Sequence, residues 1–200
     1  MVFLKKIYLF IFLIIIACAQ QNQSIKTAAI AAMPSKANHN MQQILSWDIF
    51  GVIAIRDHNK SWNATFNWLQ SDDNIYQIRL FAPLGSGTML ISNQHGMITY
   101  NDGKHISISH NANLLLQQKT GIILPVHNLY YWIRGLPAPQ KIQQINYDQY
   151  HNLKLLKQSG YVIEYLDYIQ YDKLTLPRVL KIYGSNIIIK IIIKQWQFKH

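Results

Sequence analysis

The residues of this chain with reactive side chains are nine carboxylates, eight histidines and one cysteine. A hydrolase or transferase needs a nucleophile, a base and a charge-stabilising group brought together, and a metal centre needs His, Cys, Asp or Glu at ligand spacing. Neither pattern occurs. Glu164 is the one glutamate, and Asp72 and Asp73 lie in the Ser-Asp-Asp-Asn segment 71–74, where solvated turn carboxylates are expected. His105 and His110 are five apart, on opposite pleats of a strand, and no His-x-x-x-His pair exists. Gly85-Ser86-Gly87 lacks the lysine and the following helix of a phosphate loop. These residues predict no enzyme, no metal and no soluble cofactor. What stands out instead is apolar: Leu84, bracketed by Pro83 and Gly85 inside Leu80–Leu90, occupies a turn tip that is ordinarily polar. It either projects outward as an apolar probe or folds back as a core plug.

The start of the chain gives the setting. Lys5 and Lys6 precede an unbroken apolar run from Ile7 to Ala17. That is the layout of a secretory signal peptide over residues 1–17, and the run is shorter than the roughly 20 residues a membrane span needs. Ile15-Ile16-Ala17-Cys18 resembles the signal box of bacterial lipoproteins, with Ile15 where Leu is commoner. The resemblance implies cleavage before Cys18 and covalent acyl chains, palmitate among them, on that residue as the lipid anchor. A lone exported cysteine forms no intramolecular disulfide, in keeping with a modified thiol. Ala19 stands where Asp would favour inner-membrane retention, which predicts the outer membrane.

Two of the nineteen Lys and Arg precede Cys18 and all nine carboxylates follow it, leaving 17 − 9 = +8 on the mature chain. Such a balance favours anionic lipid headgroups or an acidic partner protein. Export excludes the nucleic acid that a basic chain otherwise suggests.

The elements that must position these features follow in order. Residues 18–38 carry the lipid and read as a flexible tether, polar and without period; the folded domain is expected over 39–200. A short helix is expected over 39–47, with Met41, Ile44 and Leu45 on one face. From Trp47 the apolar period is two, and Trp62, Ala64, Phe66 and Trp68 share a dry face. Strands are predicted over 47–55, 62–68, 75–81, 88–92, 97–100 and 104–109. Two helices interrupt them, one over 111–119 ended by Gly121 and one over 129–134 capped by Asn128 and stopped at Gly135. Strands resume over 153–157, 161–168, 179–183 and 187–196. In the last, Ile187, Ile189, Ile191 and Ile193 fall on one face and Trp196 on the other. Nine or ten antiparallel strands with so few helices cannot be covered as a flat sheet. The pattern predicts a mainly β fold, an incomplete, half-open antiparallel β-barrel with short helices forming a lid over an apolar cavity.

Three segments then carry a family likeness: Arg79–Ser86, Thr120–Val126 and Leu129–Pro137. With the signal box, Phe66-Asn67-Trp68 and Gln195-Trp196, they occur in the order in which the LolB family of outer-membrane lipoproteins carries them, and the chain resembles that family from Cys18 to its C-terminus. The resemblance implies a monomeric receptor and chaperone for lipoprotein transport, on the inner leaflet of the outer membrane and facing the periplasm of a Gram-negative bacterium. Its partners would be the periplasmic carrier LolA and cargo lipoproteins, whose acyl chains enter the cavity. It further implies that Leu84 promotes cargo release into the membrane, and that Trp68, Trp132 and Trp196 are candidates to line the cavity. Each of these tryptophans also suits ordinary core packing, and Tyr161 stands where a further Trp can occur. The competing expectation is a lipid-anchored structural envelope protein without transfer activity, whose core would be filled.

Overall fold

A computed structural model describes residues 44–57, 60–83 and 87–198, all within the compact unit Pro34–His200. Cys18 and Leu84 lie outside the described residues, as does most of the helix expected over 39–47; Ile44, Leu45 and Ser46 take no regular structure.

The chain forms β1 (Trp47–Asp57), β2 (Ser61–Asp72), β3 (Ile75–Phe81), β4 (Thr88–Gln94), β5 (Met97–Asn101) and β6 (Ile106–Ser109). Helices α1 (Ala112–Thr120) and α2 (Val126–Trp132) follow. Then come β7 (Ile142–Tyr147), β8 (Leu153–Gln158), β9 (Tyr161–Tyr171), β10 (Leu174–Tyr183) and β11 (Ile187–Phe198). All eleven strands join one sheet in the order β6-β5-β4-β3-β2-β1-β11-β10-β9-β8-β7. Two hairpin meanders therefore meet where β11 pairs antiparallel with β1, and the outer strands β6 and β7 are its two free edges. The barrel is incomplete.

Alternation sets the inner face. Trp47, Ile49, Ile53 and Ile55 of β1, Ala64, Phe66 and Trp68 of β2, and Ile189, Ile191 and Ile193 of β11 are all buried. One irregularity changes a sequence expectation. Phe50 faces Gln195 while Gly51 faces Ile193, which leaves Lys194 as an extra residue in β11. This β-bulge reverses the parity beyond it, and Trp196, placed by strict alternation on the opposite face, joins the buried side. Gly51 is required beside the bulge. A Cβ there would lie 2.2 Å from the Ile192 carbonyl oxygen and 2.8 Å from the Phe66 ring.

Other elements differ from the sequence expectation for identifiable reasons. Strand β7, Ile-Gln-Gln-Ile-Asn-Tyr, was not expected, because an edge strand with both faces largely exposed shows no clean alternation. Strand β10 starts at Leu174 instead of 179, since Pro177, which has no N–H to donate, sits at a register shift between Pro177 and Val179. Helix α2 begins at Val126, with Pro125 at its N-cap, in place of a start after Asn128. Proline is well suited to a helix start, where the missing N–H has no intrahelical partner. Helix α1 matches its signals: Asn111 Oδ1 accepts from the Leu114 N–H at 3.0 Å, and Gly121 closes the helix at φ 74°. Leu115 and Leu116 of α1, and Leu129, Tyr130 and Trp132 of α2, are buried in the same core as the sheet.

Gly51→Val should lower unfolding free energy by about 3 kcal/mol, the cost of forcing extra carbon into a packed site. A urea titration followed by circular dichroism checks this, with an unchanged midpoint as the contrary result.

Candidate functional site

The antiparallel order sorts the connections between two ends of the sheet. The β1–β2, β3–β4, β5–β6, β8–β9 and β10–β11 connections lie at one end, here called the upper end. The β2–β3, β4–β5 and β9–β10 connections and the entry of the chain at Trp47 lie at the lower end.

The lower end is filled with aromatic rings. Trp47, fully buried, has its ring centroid 5.2 Å from Trp68, 5.7 Å from Trp196 and 6.4 Å from Tyr130. Trp68 Nε1 donates to Gln70 Oε1 at 2.7 Å, and Trp196 Nε1 donates to the Pro177 carbonyl at 3.3 Å. Trp132 stands apart from this cluster, against Tyr161 at 5.5 Å beside the upper β8–β9 turn, and its Nε1 donates to Gln158 Oε1 at 3.0 Å. Trp68, Trp196 and Trp132 thus have the polar partners that buried indoles require, whereas the Nε1 of Trp47 is buried with no hydrogen-bond partner among the described residues. A polar hollow of about 290 Å³ beside the cluster is walled by Trp68, Tyr76, Asn93, His110 and Tyr130.

The upper end is hollow. A cavity of about 450 Å³ lies between the inner face of β1–β5 and the helical segment. Ile55, Trp62, Leu80, Met89, Ile91 and Tyr100 wall it from the sheet, and Leu116, Ile122 and Leu124 roof it. Its polar neighbours, Asp57, Lys60, Ser61 and Lys119, belong to the upper connection of β1 and β2 and to the end of α1. A second hollow of about 540 Å³ lies across the Gly121–Ile123 linker, reaching Tyr161, Ser185, Asn186 and Ile187. Asp57 and Ile122 border both.

The sequence-predicted site residues separate accordingly. Trp68 borders the polar lower hollow, while Trp132 and Trp196 border none of these three spaces. The aromatics that wall the apolar cavity are Trp62 and Tyr100, and Tyr161 borders the second hollow. Alternation identifies the dry face of β2, but it does not say which end of that face stays unfilled. Leu84 itself is not described, yet its flanks are. Phe81 pairs with Thr88, and the Ala82 N–H bonds the Gly87 carbonyl at 3.0 Å, closing the loop between β3 and β4. Leu80 and Met89, on the strands below that loop, are cavity walls. The described flanks of that loop therefore stand beside the cavity.

Two buried polar residues that sequence reasoning missed hold the roof. Gln158, fully buried, accepts from the Ala138 N–H at 2.9 Å as well as from Trp132, and donates to the Ala138 and Gln140 carbonyls at 2.8 Å each. Arg134, 3% exposed, donates from Nε to the Tyr130 carbonyl and from Nη1 to the Ile44 carbonyl at 3.0 and 3.1 Å. Its guanidinium lies 3.9 Å from the Tyr130 ring centre, and burial pulls its pKa below the usual value. A cation–π contact compensates part of that desolvation. Tyr165 donates its hydroxyl to the Trp132 carbonyl at 3.0 Å, and burial holds its pKa well above that of a free phenol.

The carboxylates serve turns and pairs. Asp72 Oδ1 accepts from the Asn74 N–H, Asp102 Oδ1 from the N–H groups of Lys104 and His105, and Glu164 Oε2 from the Tyr183 hydroxyl. Among the described residues no three His, Asp or Glu gather as a metal site, and no helix is long and apolar enough to cross a membrane.

The family model described as outer membrane lipoprotein LolB matches residues 45–196. The chain belongs to the LolB family. An outer-membrane lipoprotein LolB of Ectopseudomonas mendocina is 38% identical over 160 residues, covering 78% of this chain and 77% of the relative. That of Pseudomonas fluorescens is 32% identical over 201 residues, 98% and 97% of the two chains. The fold is shared with a solved LolA superfamily protein of Nitrosomonas europaea, at TM-score 0.53 and 6% identity, covering 79% of this chain and 88% of that one. The LolB family signal therefore spans the sheet, the roof and the loop between β3 and β4.

Met89→Trp places a large ring at a half-buried cavity wall and should weaken binding of a fluorescent fatty acid about tenfold, without loss of the fold. Titration of the dye checks this, and unchanged affinity would place the apolar site elsewhere.

Proposed function

We propose that this Lol-pathway lipoprotein accepts lipoproteins from the periplasmic carrier LolA and incorporates them into the inner leaflet of the outer membrane. The observation that carries this reading is the apolar cavity of about 450 Å³ at the loop end of an open sheet. Acyl chains of the cargo occupy it, and an envelope protein with a purely structural role would have no use for such a hollow. The relatives named as outer-membrane lipoproteins support the same location for this chain.

The energetics require no nucleotide. Each buried CH₂ is worth about 0.8 kcal/mol, so an acyl chain exposed between sites is penalised by many times the thermal energy. Cargo moves in the right direction provided that each successive site, and finally the bilayer, holds the chains better than the last. The protein supplies shelter and contact, and no chemical step is needed.

Cys18, carrying the lipid, holds the protein at the membrane. The chain enters the domain at the lower end, opposite the loop that contains Leu84. Strand β1, with 11 residues, is about 36 Å long. Between Cys18 and Ile44 there are 44 − 18 = 26 residue steps, which span at most about 90 Å. The connection is long enough for the loop end to reach the bilayer in which the anchor sits. Leu84, carried between flanks that border the cavity, then enters the lipid and opens the way for the cargo chains.

Leu84→Glu should leave folding and acceptance of a labelled lipoprotein from the carrier intact, and slow its delivery into liposomes about tenfold or more. Delivery at the wild-type rate would remove Leu84 from the mechanism. Failure of acceptance by the unaltered protein would remove the receptor reading itself.

A further inference from the structure

Strand β6 reverses the alternation that governs the rest of the sheet. Its partners Tyr100 and Ile98 on β5 point inward and are buried, and facing them are Ser107 and Ser109. The apolar residues of β6 point the other way. Ile106 and Ile108, paired with Asn101 and Thr99, are 68% and 63% exposed on the outer face. Met97, diagonal to Ile108 and on the same outer face, is 48% exposed. Three large apolar side chains thus form a strip along the free edge of the sheet, with no buried function to account for them.

Position and charge say what covers that strip. The β5–β6 turn lies at the same end of the sheet as the loop containing Leu84, and β6 is two strands, about 10 Å, from β4. Arg79 is exposed in the same outer row, which runs from Arg79 through Leu90 and Asn101 to Ile106. Lys104 and His105 are exposed in the turn beside Ile106. Asp102 is the opposing charge, and its carboxylate already accepts the N–H groups of Lys104 and His105 and lies 3.5 Å from the His105 ring nitrogen. The chain as a whole carries +10. A strip two strands wide offers much less than the roughly 800 Å² per partner of a stable protein–protein interface. A bilayer demands no complementary shape; it takes aliphatic side chains into its interface and draws cations to its phosphates.

We propose that Ile106, Ile108 and Met97, with Lys104 in the adjoining turn and Arg79 three strands away in the same outer row, form a seat that rests the free β6 edge on an anionic phospholipid surface. This rests on the receptor reading above and adds to it a second contact beside the Leu84 loop. The seat fixes the orientation of the domain, turning the cavity rim towards the leaflet that takes the cargo.

Cys18 is the only cysteine, so Cys18→Ala yields an anchor-free full-length mature chain whose membrane contact is made by protein alone. Flotation with phosphatidylethanolamine–phosphatidylglycerol vesicles should recover this protein, and adding Ile106→Glu and Ile108→Glu should reduce the recovered fraction about tenfold. Phosphatidylcholine vesicles and high salt should reduce it for both. In the Cys18→Ala background, Ile108→Cys labelled with a polarity-sensitive dye reads the contact without removing the rest of the strip, and its emission should shift to the blue on adding the anionic vesicles. Equal flotation of the two proteins, no flotation of Cys18→Ala, or a dye blind to vesicles would each overturn the seat. Acceptance of cargo from the carrier in solution is measured on the same proteins. Loss of acceptance in the Ile106→Glu, Ile108→Glu chain with flotation unchanged would assign the strip to the carrier and overturn the seat. Loss of acceptance by Cys18→Ala itself would instead count against the receptor reading.

Discussion

Strands β6 and β7 do not pair, so the concave face of the sheet has to be kept from water by something other than its own strands. That constraint is met differently at the two ends. At the lower end Trp47, Trp68, Trp196 and Tyr130 fill the space and pack ring against ring. At the upper end the walls are isoleucines, leucine, methionine, Trp62 and Tyr100, and the helical segment covers them without filling the space between. An apolar hollow gives up dispersion contacts that a packed core would have. The domain tolerates this at one end because the other is densely packed and because the central β1–β11 ladder runs nearly the full length of both strands.

The roof is fastened unevenly. Downstream of α2, Gln158 bonds Trp132, Ala138 and Gln140, and Arg134 ties the end of α2 to the entry of the chain at Ile44. Such bonds are directional, and breaking one leaves a buried polar group unpaired, at a cost of about 1–3 kcal/mol. Helix α1 instead lays Leu115 and Leu116 on the sheet, and the linker places Ile122 and Leu124 over the cavity. Apolar contacts are not directional, and the side chains that make them exchange one apolar neighbour for another at small cost. An acyl chain is such a neighbour. The stretch after α2 is thus fixed by polar bonds, through Gln158 at the upper end of β8 and Arg134 at the lower end, while α1 and the linker over the apolar cavity are held by adaptable contacts.

Membership in the LolB family and the shared fold with a LolA superfamily protein fit one physical principle. An unclosed sheet under helices leaves a concave apolar face that suits the sheltering of acyl chains in the role proposed above. The apolar cavity and the apolar strip on the outer face of β6 are the surfaces such a role would use.

The sequence by itself determined the class of the fold, because period two is a local property: the inward residues of β1 and β2 and the caps of α1 are read from neighbours along the chain. Through ordered motifs it also indicated the family. Local pattern failed where the sheet is irregular or open. β7 is too exposed on both faces to alternate, Pro177 concealed the first half of β10, and the bulge at Lys194 turned Trp196 inward against the count. Only tertiary structure decided which end of the dry face is packed and which is hollow. Trp62 and Trp68 share one face of one strand, yet Trp62 walls the apolar cavity while Trp68 packs into the aromatic cluster beside Trp47. The reason is physical: whether an inward side chain meets another ring or an empty space depends on what the rest of the barrel brings opposite it, and that partner is far away in sequence.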